Sequence, residues 1–217
     1  MKEILSEITN DNMTDLQVIK AIHDKICSMV DYDSENVDAP KNHTDASIFL
    51  NDTSVCDGYA RAMNLFLKEA GFESAFVRTN DHAWVIVKVG EHFFHIDTTW
   101  DDDGDTISYD WFMKADDEID GKESHSNWVM REPSTLHKSP WEETPACTSH
   151  MGDVNEDNIV DAKDASAILS SYAVLSVGDD SDIDTILADY NYDGKIDATD
   201  ASAILNAYAA DSVENET

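Results

Sequence analysis

Val55-Cys56-Asp57-Gly58-Tyr59-Ala60-Arg61-Ala62-Met63-Asn64-Leu65-Phe66-Leu67-Lys68-Glu69-Ala70-Gly71 is the stretch that decides the larger part of the chain. It predicts a helix from about Cys56 to Ala70, with Gly71 as the stop signal. Cys56 stands where the helix begins, after Asn51-Asp52-Thr53-Ser54-Val55. A helix N-terminus carries partial positive charge, which favours a thiolate there. Cys27 falls inside a helix instead, the usual place of a small buried hydrophobe.

Working outward, Thr14-x-x-Gln17 is a capping box that opens an amphipathic helix with the face Leu16, Ile19, Ile22, Ile26 and Met29/Val30. Tyr32 to Thr53 is irregular apart from a short helix at Asp45–Leu50. Strands are expected at Ser74–Arg78, Ala83–Val89 and Phe93–Thr98, and a helix at Trp111–Ile119. Helices packed on an antiparallel meander make an α+β arrangement.

A nucleophilic Cys56 needs a base, and strand register supplies one. In a hairpin centred on Val89-Gly90, paired residues sum to 179, so His82 lies directly across from Asp97, with Cβ atoms about 5 Å apart. Asp97 can then hold one imidazole nitrogen and aim the ring at the thiol. His92 and His95 face opposite ways on a strand and make no metal pair. His23, His43, His125, His137 and His150 are assigned no role.

The 217 residues carry 46 acidic and 14 basic side chains, a net charge of −32. Such a charge repels nucleic-acid phosphates and anionic lipid. No apolar run approaches the roughly 20 residues of a membrane span. The start Met1-Lys2-Glu3-Ile4 lacks a signal-peptide apolar stretch, so either the chain is cytosolic or a leader has been replaced. Three cysteines, Cys27, Cys56 and Cys147, leave at least one unpaired within the chain.

Composition shifts near residue 145. All 5 Trp, 7 Phe, 4 Pro and 3 Cys precede Met151, and 132–145 reads as a closing loop and linker. Two domains are expected, 1–147 and 148–217. The second contains a repeat: Asp161–Ala173 recurs as Asp197–Ala209 with ten of thirteen positions identical. Before each repeated helix stands a ladder of oxygen ligands: Asp153, Asn155, Asp157, Asp161 and Asp164, then Asp189, Asn191, Asp193, Asp197 and Asp200. These fall at positions 1, 3, 5, 9 and 12 of an EF-hand loop, with the carbonyls of Ile159 and Lys195 at position 7. Position 6, where the loop turns sharply, is Asn158 in one copy and Gly194 in the other. A solvated acidic face would not keep one register twice. Two calcium ions are therefore expected; magnesium suits an all-protein oxygen cage poorly.

Loop and helix twice over, with Asp at position 12, resembles the type I dockerin module of cellulosomes across about 151–211. The signature Ala-Ser-Ala-Ile-Leu-x-x-Tyr-Ala looks like the ruminococcal variety. The resemblance implies docking onto a scaffoldin cohesin through Ala165, Ser166, Ile168, Leu169 and Tyr172 in one copy, and Ala201, Ser202, Ile204, Leu205 and Tyr208 in the other. Lys163 against Thr199 implies that one face is preferred. It also implies a secreted protein, in which Cys27 and Cys147 could pair and leave Cys56 free.

In the larger part, Val55–Gly71, Asp81-His82-Ala83-Trp84 and His95-Ile96-Asp97-Thr98-Thr99-Trp100-Asp101 together resemble the bacterial transglutaminase-like superfamily. Ala21-Ile22-His23-Asp24 and Tyr32-Asp33 extend the likeness over most of 10–120. It implies a papain-like core with Cys56, His82 and Asp97 as its Cys-His-Asp set, and no catalytic cofactor. The implied activity is peptidase, amidase or transamidase chemistry through a Cys thioester, with the Cys56 N–H as one oxyanion donor. The other class is a non-catalytic assembly component. A glycoside hydrolase finds no supporting motif.

Overall fold

The structure, a computed structural model, describes residues 1–122 and 124–214. The last three positions of the expected second domain lie outside the described residues. The chain forms two compact units, Met1–Thr148 and Ser149–Thr217. Among the described residues no helix is long and apolar enough to cross a membrane.

The first unit begins with α1 (Lys2–Ile8) and α2 (Asp15–Cys27). Thr14 caps α2 as the sequence predicts: its hydroxyl accepts from the Gln17 N–H, and the Gln17 side chain accepts from the Thr14 N–H. Leu16, Ile19, Ile22 and Ile26 are all buried. Next come β1 (Asp31–Tyr32), a 3₁₀ turn at Pro40–His43, α3 (Ser47–Leu50), β2 (Thr53–Ser54) and α4 (Cys56–Ala70). Helix α4 has the predicted limits. Gly71 ends it at φ +100°, a left-handed conformation that suits glycine. Its inner face, Tyr59, Ala62, Met63, Phe66 and Leu67, packs on β3 (Ser74–Arg78) and β4 (Ala83–Val89).

The remaining elements are β5 (His92–Ile96), α5 (Thr98–Asp101), β6 (Phe112–Lys114), α6 (Asp116–Ile119) and β7 (Val129–Met130). Five strands form an antiparallel sheet in the order β6-β5-β4-β3-β7. The helix expected over Trp111–Ile119 is a strand followed by one helical turn. Phe112 and Met113 are both buried, and pairing with β5 through a register shift at His95/Ile96 satisfies their backbone at the sheet edge.

The β4–β5 register also differs from expectation. Val89 pairs with His92, so the turn is Gly90-Glu91, with Gly90 at φ +58°. Paired residues therefore sum to 181, and Asp97 is diagonal to His82 rather than opposite it. The turn lies one residue further along, which lengthens β4 by one residue and shortens β5 by one, so every cross-strand partner shifts by two. Side chains alternate with period two, so both residues keep the same face.

The second unit contains α7 (Ala162–Ser176), α8 (Thr185–Ala188) and α9 (Ala198–Glu214). Both repeated helices extend beyond the repeat itself. Their core holds equivalent residues from each copy: Ala165 with Ala201, Ile168 with Ile204, and Val160 with Ile196 around the edge. The one-turn α8 precedes the second loop.

Candidate functional site

Cys56 is the first residue of α4 and is half-buried. What leads into it is fixed by a two-residue parallel ladder, in which Tyr32 pairs with Ser54. The intervening loop is tied down by polar contacts. Asp33 accepts from the Asn36 N–H and the Asn36, Asn42 and Thr53 side chains, and these bonds hold its carboxyl down at about 2. Gly58, two residues into α4, lets this loop press close. A Cβ there would lie 2.0 Å from Ser54 Oγ, 2.2 Å from Ser47 Oγ and 2.9 Å from the Asn42 carbonyl.

His82 stands one residue before β4 and Asp97 one residue after β5, capping α5. Both are buried. His82 Nε2 meets Asp97 Oδ2, which leaves Nδ1 for the other side of the ring. Burial alone would lower the His82 pKa. The charge and hydrogen bond of Asp97, with a hydrogen bond to Cys56, push it up to about 10. Burial would raise Asp97, but His82 and a hydrogen bond from His125 hold it well below the usual carboxylate range. Asp97 Oδ1 accepts from the Thr99 N–H at 3.0 Å and the Trp100 N–H at 3.4 Å. Trp84 stacks on the His82 ring with centroids 5.6 Å apart, and Trp100 meets it edge-on. Thiol, imidazole and carboxylate are thus brought together by a helix start and the two open ends of one hairpin.

His125 joins them, and the sequence reading had given it no role. Its Nε2 is 2.8 Å from the same Asp97 Oδ2. The ring is fully buried, stacked on Trp111 at 4.3 Å and against Trp84 at 4.6 Å, with no partner for Nδ1. Facing a carboxylate oxygen, which only accepts, Nε2 carries the hydrogen of this bond. No local motif marks His125; it lies in an irregular stretch between α6 and β7.

Among the described residues, two groups have donor atoms within 4.8 Å of one another, as a metal site would require: His82, Asp97 and His125, and His95, Asp116 and Cys147. In the second, the Trp84 indole N–H donates to His95 Nδ1 at 2.9 Å. The His95 hydrogen is therefore on Nε2, where it donates to Asp116 at 2.8 Å. That tautomer does not ligate a cation through Nε2. His23, without a partner in the sequence reading, bonds to Asp101 at 3.1 Å and Asp24 at 3.0 Å.

Cys27 and Cys147, which could pair in an oxidising compartment, are both free thiols here, as is Cys56. Cys27 Sγ donates to the Thr98 carbonyl at 3.4 Å, whereas Cys147 packs with Val77, Trp84 and Ile119 beside Asp116. Burial pushes both thiols up. Cys56 instead opens onto a cleft of about 310 Å³ shared with Tyr32, His43, Arg78, Asn80 and His82. The Tyr32 hydroxyl is pushed up by burial and by the nearby Cys56 and Asp97.

In the second unit the two loops repeat each other in detail. Position 4 has φ +58° at Glu156 and +61° at Tyr192, and position 6 has +63° at Asn158 and +82° at Gly194. Asp164 accepts from the Val154, Asn155 and Asp161 N–H groups; Asp200 accepts from Asn191 and Asp197. Asp153 and Asp189 accept from the position-6 N–H at 2.9 and 3.0 Å. Backbone bonds therefore fold each loop inward on its carboxylates. Asp189 Oδ1 is buried with no partner, and burial pushes its carboxyl up to about 6. A hard divalent cation fits this oxygen set, and Asp189 supplies an acceptor that nothing else satisfies. Lys163 reaches Asp157 at 3.0 Å across the first loop; Thr199 takes its place in the second.

Of the ten residues expected to dock a partner, four do not face outward. Ala165, Ala201, Ile168 and Ile204 are buried, because they hold α7 and α9 together. Ser166 and Ser202 are exposed. Leu169, Tyr172, Leu205 and Tyr208 show 43, 44, 42 and 45% of their surface.

The family model of the transglutaminase-like superfamily matches residues 2–98, and that of the dockerin type I domain matches 151–208. A solved structure described as "Crystal structure of a TGase" aligns at 15% identity and a TM-score of 0.40, covering 45% of this chain. The chain spans about 30% of that structure's length. No curated protein matches. Cys56, His82 and Asp97 fall inside the first matched segment, His125 outside it. The chain is a transglutaminase-like core domain, residues 2–98, followed by a type I dockerin domain, residues 151–208.

Proposed function

We propose that the first domain cleaves carboxamide or peptide bonds through a Cys56 thioester, and that the dockerin carries it to a scaffoldin cohesin in an extracellular cellulosome. A dockerin domain implies a cohesin partner, and type I dockerins typically bind calcium. The observation that carries the catalytic reading is His82: one face meets buried Asp97 and the other meets Cys56 at a helix start.

Cys56 Sγ attacks the carbonyl carbon. The Cys56 N–H and the Tyr32 hydroxyl stabilise the oxyanion. As the adduct collapses, the C–N bond breaks and the His82 imidazolium gives its proton to the departing amine. Water then adds to the thioester while His82 takes its proton. The C–S bond breaks, which releases the acid and returns the thiolate. An amine in place of water would make the reaction a transamidation; water is always present, so hydrolysis is the default. In the dockerin, Asp153, Asn155, Asp157, Asp161 and Asp164, with the Ile159 carbonyl, would hold one calcium ion. Asp189, Asn191, Asp193, Asp197 and Asp200, with the Lys195 carbonyl, would hold the other. Each ion neutralises clustered carboxylates and lets the loop close.

The test is acyl-enzyme trapping on a mixed peptide pool, read by mass spectrometry for wild type, Cys56→Ala and His82→Ala. A thioester on Cys56 that needs His82 supports the reading. No adduct and no turnover favours a binding-only domain.

A further inference from the structure

The chain contains three arginines, Arg61, Arg78 and Arg131, and all three line one cavity of about 400 Å³. Arg78 also lines the Cys56 cleft, so the two spaces share a wall. In a chain with 46 acids and 14 bases, random placement would surround each arginine with carboxylates. Arg61 has one such partner, Asp45 at 2.8 Å, but its Nε is buried without a partner. Arg78 donates only to the carbonyls of Thr79 and Asn80. Arg131 is exposed, and its side chain has no partner among the described residues. Two acids also line the space, but neither is ion-paired with an arginine: Asp57 bonds to His43 and Glu132 accepts from the Ser139 N–H, while neighbouring Asp81 bonds to Thr79 and Ser124.

Sheet geometry explains the gathering. Arg78 pairs with Val129 across β3–β7, and the Arg131 N–H donates to the Phe76 carbonyl. Residues 76 and 78 share one face of β3, so Arg131 and Arg78 are diagonal neighbours on it. Arg61 reaches the same place from α4, over the Phe76 ring at 6.0 Å. Three planar forks converging with donors to spare suit carboxylates, which they can engage in pairs of hydrogen bonds.

We propose that this cavity is a carboxylate subsite, and that the substrates of the Cys56 site are acidic peptides whose carboxylates flank the scissile carboxamide. This rests on the hydrolytic reading of Cys56, His82 and Asp97.

The test uses the full chain and four probes: acetyl-Gly-Glu-Gln-Glu-Gly amide, the versions with Ala or Lys in place of both Glu, and the Ala version with a free C-terminal carboxylate. Mass spectrometry gives kcat/KM. The Glu probe should exceed the amidated Ala probe by about tenfold or more, and that ratio should fall about threefold in Arg131→Gln and approach one when Arg78→Gln is added. Arg131→Glu should shift preference toward the Lys probe. A gain for the free-acid probe would make a chain terminus the carboxylate source, and a gain for Glu alone would make it side chains; either supports the subsite. Binding to full-length Cys56→Ala, by anisotropy of labelled probes, separates the two readings. Arginine-dependent binding of the Glu probe without turnover in wild type keeps the subsite and removes the hydrolase. Turnover in which neither the Glu probe nor the free-acid probe gains over the amidated Ala probe, a gain unchanged by the arginine variants, or neither binding nor turnover overturns the subsite.

Discussion

His82 and His125 bond to the same oxygen of Asp97, one ring from each side, with His125 at 2.8 Å. A carboxylate oxygen can accept both bonds, so Asp97 is oriented by a group that itself never meets the thiol. His125→Phe fills the same space without the donor. We expect kcat to fall about tenfold with little change in KM, the size of one hydrogen bond to a charged group at about 1.5–3 kcal/mol. Losing the donor lets Asp97 protonate more readily, so the acid limb of the pH–rate profile should move to higher pH. His125→Gln, which keeps an N–H donor, should recover part of both. An unchanged acid limb in His125→Phe would assign His125 to packing alone.

Cys56 should be the first thiol alkylated by iodoacetamide at mildly acidic pH. Cys27 and Cys147 are buried and their thiols are pushed up, which disfavours the reactive thiolate. His82→Ala should slow Cys56 labelling about tenfold or more. Peptide mapping after brief exposure gives the order; faster labelling of Cys27 or Cys147 contradicts the assignment.

Stability should depend on pH through His82. Its folded pKa, about 10, lies above the ordinary 6.5. The protonated ring therefore stabilises the fold fully below pH about 6.5, and that contribution is lost as pH rises through 10. The stability difference between wild type and His82→Gln should be greatest on the acidic side of this window and shrink across it. Denaturant titrations followed by tryptophan fluorescence report this domain alone, since all five Trp precede residue 142.

Chelation should act on the other unit. EDTA on the full chain should lower the far-ultraviolet helix signal, and calcium should restore it with two ions bound per chain. Asp200→Ala should reduce the stoichiometry to one. Retention of two ions in that variant would mean that the second loop is not a site.

Docking should follow the exposed residues only. With a cohesin in a calorimeter, Leu169→Asp with Tyr172→Ala, and Leu205→Asp with Tyr208→Ala, should weaken binding unequally, one pair by more than tenfold. Ala165→Leu and Ala201→Leu should instead lower the melting temperature of the calcium-loaded unit, since overpacking a core costs about 1–3 kcal/mol. Equal, small losses from both exposed pairs would mean that either helix can serve.

Legibility in the sequence followed how local each determinant is. Helix α4 was readable to the residue, because Gly71 supplies the left-handed stop and Cys56 follows an extended Val55. The His82–Asp97 relation survives a turn placed one residue further along, since the cross-strand pairing then shifts by two residues and period-two alternation conserves the face. Burial of Ala165 and Ala201 was hidden because a small residue on a repeated helix suits a docking face and a core equally. His125 was invisible for a different reason: it reaches Asp97 across a sequence separation of 28 residues through aromatic packing, with no spacing to betray it. The 33–53 loop was unreadable because side-chain oxygens, not apolar periodicity, hold it.

That loop and the missing side chain at Gly58 set how the cleft can respond to force. The sheet and α4 meet through buried apolar surface, but the loop before Cys56 is latched by buried hydroxyls and amides. Even one methyl group at residue 58 would wedge against Ser47 and Ser54. The wedge would prise the latch while sparing the core, so the damage would appear as a wider gate rather than a melted domain. Cys56 thus lies at a seam between apolar packing on one side and a hydrogen-bonded loop on the other, and the absence of a side chain at Gly58 lets the two close together beside it.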